Sequence, residues 1–233
     1  MTLRVPLLPT RPMDFLRQLL RSPDRARVIP YLLFVLPIYL GGKFGPESYY
    51  WVYLGRTVLG ALLIWIIWPL VKEMRYAFSW EAVTIGVAVF VMWVGIDPLY
   101  PHFLAANSHW NAFAHFGDDA ALAWCFVIAR IVGSSLVVPA LEEVFFRSFL
   151  YRWIVKPDFV SLPLNHFTWK PFLLTAALFG FAHNEWLGGI LCAFAYQWLV
   201  LRKNRLGDAM TAHAITNCLL GLWVVGKGAW NFW

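Results

Sequence analysis

Seven apolar runs, spanning 29–40, 50–71, 82–96, 121–155, 171–183, 187–201 and 206–225 and parted by short polar or basic clusters, dictate what this chain can become. A bilayer is crossed by about 20 apolar residues in helical form, and backbone inside hydrocarbon must satisfy its own hydrogen bonds, which selects helices. The expectation is an all-α polytopic membrane bundle of seven transmembrane helices, with eight as the alternative. The run 121–155 is longer than one bilayer requires and reads either as one long helix or as two broken near Pro139. The runs 171–183 and 187–201 are short enough to be tilted or half-length.

Composition excludes the soluble alternative, because 60% apolar residues against 14% charged leave more apolar surface than a soluble core can hide. The 14 Trp, 9 Tyr and 19 Phe suit the headgroup level, where amphipathic rings settle. A formal charge of +6 raises nucleic acid as a partner, but the basic residues sit in short clusters between apolar runs, where lipid topology explains them. Nucleic acid is therefore discarded. Cys125, Cys192 and Cys218 lie singly inside apolar runs and read as small hydrophobes.

Two domains of unequal kind follow: a basic cytoplasmic or interfacial segment, 1–27, and a membrane domain, 28–233. In the first, Phe15, Leu16, Leu19 and Leu20 fall opposite Arg17 and Arg21, the pattern of an interfacial helix. A disordered basic leader is the equal alternative. No secretory cleavage pattern is evident, so the first run reads as a retained anchor. Lys72, Arg75, Arg152, Lys156, Arg202, Lys203 and Arg205 fall on the same side as the arginine-rich N-terminal segment, which the positive-inside rule makes cytoplasmic. Residues 97–120 carry no Lys or Arg and go outside. Their His102, His109, His115, Asp118 and Asp119 are irregularly spaced, favouring a loop or interfacial helix over an external metal site.

Charges inside the apolar runs carry the functional signal: Arg56, Arg130, Glu142, Glu143 and Arg147. By insertion scales such a group at mid-bilayer costs at least about 2.5 kcal/mol, so each needs an offset. Glu143 and Arg147 stand four apart, share a helix face and pair. Glu142 points about 100° away and has no local partner, which makes it the candidate for acid/base chemistry. Arg56 and Arg130 read as structural partners of helix ends or lipid headgroups. On other runs, Phe179 and His183 share a face, as do His213 and Asn217. Counting about 1.5 Å per residue from the basic markers puts Glu142, His183 and His213 about 15, 20 and 12 Å deep, similar enough for one buried site. Meeting there, Glu142 and His183 would deprotonate a water attacking a peptide carbonyl, with His213 and Asn217 donating to the oxyanion. No His-Glu-x-x-His, Gly-x-Ser-x-Gly or Walker pattern is present. Two histidines and a glutamate as ligands of a divalent metal remain the disfavoured alternative to a site without cofactor.

Glu142-Glu143-x-x-x-Arg147, Phe179-x-x-x-His183 and His213-x-x-x-Asn217 together resemble the three motifs of the type II CAAX prenyl endopeptidases and their bacterial relatives, the CPBP or Abi family. The resemblance covers roughly 120–225. It implies Glu142 and His183 as water activators, His213 and Asn217 as oxyanion donors, Glu143, Arg147 and Phe179 in support, and about eight helices around a polar intramembrane cavity. Ser148 departs from the glycine that commonly follows the arginine. Asp208 is an unexpected acid that would repel or orient a substrate terminus. The implied activity is intramembrane endopeptidase action on a membrane-associated protein or peptide, and the charge pattern points to a bacterial inner membrane, among proteins like those that accompany exosortase systems. Two other classes compete: a proton- or ion-coupled transporter component, disfavoured because no repeated halves are visible, and a non-catalytic scaffold or immunity protein of the same fold. Oligomeric state is not readable.

Overall fold

The computed structural model describes residues 19–103, 110–117 and 119–233. The interfacial-helix reading of 1–27 falls largely outside these residues, as do His109 and Asp118. Every apolar run contains a helix. We label them α1 (Arg25–Val35, continued as a 3-10 turn over Leu36–Leu40), α2 (Ser48–Ile67) and α3 (Trp80–Ile96). A short α4 (Ala112–Phe116) precedes α5 (Ala120–Val155), α6 (Trp169–Phe181), α7 (Trp186–Lys203) and α8 (Gly207–Lys227). Four helical stretches, Ser48–Ile67, Trp80–Leu99, Ala120–Val155 and Gly207–Lys227, are long and apolar enough to cross a membrane, and Trp169–Phe181 is apolar but shorter. The chain is an integral membrane protein.

Local chemistry sets the helix ends. Side chains of Ser79, Asn111 and Asp119 accept from the first-turn amides of Ala82, Ala114 and Leu122, opening α3, α4 and α5. Asn204 and Gly228 take left-handed backbone at the ends of α7 and α8.

The run 121–155 is one helix of 36 residues, not two. Pro139 does not break it because the turn just before, Gly133–Val137, is π-helical, with the Val138 amide donating to the Gly133 carbonyl five residues back. That widened turn relieves the clash a proline makes with the carbonyl four residues back. A second π stretch, Val144–Leu150, follows the glutamate pair. A wide turn rotates the side chains that follow, so the glutamate pair faces a direction that an unbroken regular helix from Ala120 would not give it.

α8 packs along α3, and α6 along α7. The first pair approaches closely at Gly86, where a Cβ would lie 2.7 Å from the Ala212 carbonyl oxygen. Thr216 uses that proximity, donating from Oγ1 to the Gly86 carbonyl at 2.8 Å. The His213 face of α8 is thereby held at a fixed rotation against α3.

One end of the bundle gathers the basic connections. Arg27 reaches Glu73 at 2.6 Å and donates to the Ser148 hydroxyl at 3.0 Å, while Arg152 meets the same Glu73 oxygen at 3.2 Å. Ser148 also donates to Glu73, so the hydroxyl at this departure from the family pattern joins three elements. Lys203, at the end of α7, pairs with Glu81, at the start of α3, at 2.6 Å, and Ala77 donates to the Gly207 carbonyl.

Burial alone would raise the Glu73 carboxyl, but Arg27 beside it and the Ser148 hydrogen bond outweigh that and hold it below the usual glutamate value. A lowered folded-state value means stability that is fully present above the usual value and fades as pH falls through the lowered one. Melting of the detergent-solubilised protein is expected to drop with pH across that acidic window, and Glu73→Gln to flatten the dependence. A slope unchanged by the substitution would remove Glu73 as its source.

Candidate active site

Helix α5 presents its glutamate pair to different surroundings. Glu143 is fully buried and holds two partners: Arg147 Nη1 at 3.2 Å and the His213 Nδ1 at 3.0 Å. The first follows from their spacing on the helix; the second joins residues 70 positions apart and carried no local signal. Arg147 also lies over the Phe179 ring, 4.3 Å from its centre, so α6 is tied to the same group. Glu142 is half-buried, and its Oε2 has no hydrogen-bond partner among the described residues.

His183 stands just past α6, which ends at Phe181, in the turn leading to α7. Its Nδ1 lies 2.7 Å from the Phe179 carbonyl oxygen. A carbonyl only accepts, so Nδ1 carries the proton and Nε2 is left with its lone pair. Phe179 and Trp93 flank the ring, at 4.7 and 5.9 Å between centres. The α6–α7 turn can be this tight because of Gly180, where a Cβ would meet the Trp186 carbonyl oxygen at 2.6 Å.

On α8, His213 is stacked on Tyr196 of α7 at 5.0 Å, and the Tyr196 hydroxyl donates to Thr216 at 2.8 Å. With Glu143 accepting at Nδ1, the imidazole is fixed in plane and in rotation. Asn217, one turn along, donates from Nδ2 to the Ser134 carbonyl at 2.8 Å. That leaves its second amide hydrogen uncommitted by this bond.

Glu142, His183, His213 and Asn217 all line one cavity of about 290 Å³. Residues from outside the three motifs complete the wall, among them Tyr53, Arg56, Trp93, Arg130 and Tyr196. Arg56 and Arg130 read from the sequence as partners of helix ends or headgroups; here they face the cavity and aromatic rings. Charge within an apolar run was the signal that marked them, and it gave no direction. Glu185, just after His183, also reaches the wall.

Asp208 is not available to a substrate terminus. It is fully buried, accepts from the Ser79 hydroxyl at 2.5 Å and pairs with Arg205, so it fastens the start of α8 to the start of α3. Outside the cavity, His102 pairs with Asp97 at 3.2 Å and His115 stacks on Tyr50 at 4.9 Å, each committed locally. Among the described residues no group of three or more His, Cys, Asp and Glu is arranged to hold a metal ion.

No curated protein and no solved structure matches the chain. The stretch that bears all three motifs, residues 120–219, matches the family model of the type II CAAX prenyl endopeptidase Rce1-like proteins.

Proposed function

We propose that the protein is an intramembrane endopeptidase that hydrolyses a peptide bond of a membrane-associated protein or peptide, with water activated by Glu142 and His183. The observation that carries the reading is the cavity wall shared by Glu142, His183, His213 and Asn217, which come from α5, the α6–α7 turn and α8. The Rce1-like match over the same stretch supports a CAAX protease-type function in outline.

The chemistry follows from which atoms are free. The Glu142 carboxylate and His183 Nε2 are proton acceptors on the cavity wall with no hydrogen-bond donor upon them among the described residues, so a water between them loses its proton as its oxygen attacks the carbonyl carbon. The carbonyl oxygen becomes the oxyanion, to which Asn217 offers its second amide hydrogen. His213 donates from Nε2 only as the imidazolium, because its Nδ1 proton is already given to Glu143; the Glu143 carboxylate is placed to compensate that charge. On collapse the C–N bond breaks and the proton held by Glu142 or His183 passes to the leaving amine. No acyl-enzyme forms.

The shorter helices α1, α6 and α7 bring the bundle to seven spans, and the basic end faces the cytoplasm, in keeping with the positive-inside rule. A bacterial inner membrane is the proposed setting, and the reaction is proposed to need no metal.

The test compares chain termini in membrane fractions from cells carrying the protein or its Glu142→Gln variant. New termini that require Glu142 are expected; identical sets would overturn the proteolytic reading. With a substrate in hand, 1,10-phenanthroline is expected to leave cleavage unchanged, and inhibition reversed by added zinc would overturn the metal-free part alone.

A further inference from the structure

Two charges on the cavity wall have no task in the hydrolysis. Arg56 on α2 and Arg130 on α5 open on the same space as Glu142. Among the described residues neither forms an ion pair at contact distance, and the Glu142 carboxylate attracts Arg56 only from beyond that range. Arg56 keeps a buried Nε with no hydrogen-bond partner.

Aromatic rings surround both groups. The Arg56 guanidinium lies 4.3 Å from the Phe34 ring centre and 5.3 Å from that of Tyr53. Arg130 lies 4.9 Å from Tyr53, 4.4 Å from Trp110 and 5.0 Å from Trp233. Ring faces stabilise the positive charge and hold each fork in place, yet they offer no lone pair in the plane of the N–H donors. Two like charges flanking one tyrosine ring also repel each other. A planar anion accepting from both forks removes both penalties, and in a site lined by protein such a bond is stronger than in water.

Depth decides what that anion belongs to. Arg56 stands eight residues into α2 and Arg130 ten into α5, about 12 and 15 Å from those helix ends, near the middle of a bilayer whose core is about 30 Å thick. A lipid phosphate anchored at the interface does not reach there. A peptide drawn into the cavity does. Arg130, Ser134, Val138 and Glu142 follow one another at intervals of four along α5 and all line the cavity, a span of about 18 Å from end to end. An extended chain covers that distance in about five residues.

We infer that Arg56 and Arg130 form a carboxylate-binding subsite that selects peptides carrying an anionic group within about five residues of the bond presented to Glu142. The carboxylate comes from a chain terminus or from an acidic side chain. This inference rests on the proposed hydrolytic reading for its geometry, but its test does not need turnover.

Binding of dansyl-labelled apolar hexapeptides is measured on the detergent-solubilised Glu142→Gln protein, using one sequence as free acid, as C-terminal amide, and as amide with one internal Glu. At least one acidic form is expected to bind at least about tenfold tighter than the neutral amide, the effect of a single charge-assisted hydrogen bond at the low end of its range. Whichever acid keeps the advantage identifies the source. Arg56→Met with Arg130→Met is expected to abolish the preference and leave neutral-amide binding in place. Should that variant fail to fold, Arg56→Lys and Arg130→Lys decide, because they keep the charge, lose the fork and are expected to narrow the preference. Equal binding of acid and amide, or competition by inorganic phosphate but not by acetate, overturns the subsite. A preserved preference beside absent cleavage in the unsubstituted protein would instead sink the hydrolytic reading.

Discussion

Glu142→Gln is expected to leave the protein folded and to lower hydrolysis by about 10²- to 10⁴-fold, the range a positioned general base supplies. The change is nearly isosteric. Glu142 has no ion pair and its Oε2 accepts no hydrogen bond among the described residues, so the neutral amide breaks no direct contact and gives up only the carboxylate's longer-range attraction for Arg56. Its melting temperature should stay close to that of the parent, since a substitution that makes no cavity and orphans no charge usually stays within about 0.5 kcal/mol. His183 would retain its tautomer, because the bond that fixes it runs to the Phe179 carbonyl and not to the carboxylate. Size-exclusion profile, thermal melt and the appearance of new termini together check the expectation. A variant that melts normally and still generates the termini would remove Glu142 from the chemistry. A scaffold protein would keep its biological effect after the same substitution, which separates that class from an enzyme.

What the sequence disclosed and what it withheld divide along the range of the interaction. Glu143 and Arg147 were readable as a pair because four residues on a helix fix their neighbourhood, and they meet at 3.2 Å. Phe179 and His183 were readable for the same reason, although the helix stops at Phe181 and the contact became a ring-to-carbonyl bond in a turn. His213 against Glu143 was not readable, since nothing local relates α8 to α5. Neither was Tyr196, an ordinary aromatic in an apolar helix whose stacking on His213 depends on how α7 meets α8. Pro139 suggested a break that the preceding π turn prevents, and single-residue rules do not foresee a widened turn. Asp208 looked free for a substrate because its partners, Ser79 and Arg205, lie across a helix pair and one turn away. The cavity also draws Tyr53, Arg56 and Trp93 from residues before 120, outside the stretch that matches the family. The motifs disclosed four residues that share the cavity; its wall is completed both from within the matched stretch, by Arg130, Ser134, Val138 and Tyr196, and from before it.

The second large effect concerns the ion pair behind the site. Glu143→Ala is expected to destabilise the protein by about 3–5 kcal/mol, the range for removing one partner of a buried pair, because it leaves Arg147 charged and uncompensated. Glu143 is wholly buried and Arg147 nearly so, which leaves no water to take over from the lost carboxylate. Arg147→Met should be costly for the mirror reason, with the Glu143 charge retained and the contact over Phe179 reduced to apolar packing. Removing both charges together, as Glu143→Leu with Arg147→Met, takes away the orphan as well as the pair. Stability is then expected to recover well beyond the sum of the single losses, as for other buried pairs replaced by apolar residues of similar volume. Hydrolysis is not expected to recover with it. In the double variant His213 has no acceptor at Nδ1, so no hydrogen bond holds its ring in rotation and no carboxylate compensates an imidazolium, while the ring contacts with Tyr196 and Phe179 remain. The decisive outcome is this separation between a restored melt and an unrestored rate. Were cleavage to return with stability, Glu143 and Arg147 would be packing elements alone, and His213 would act without them.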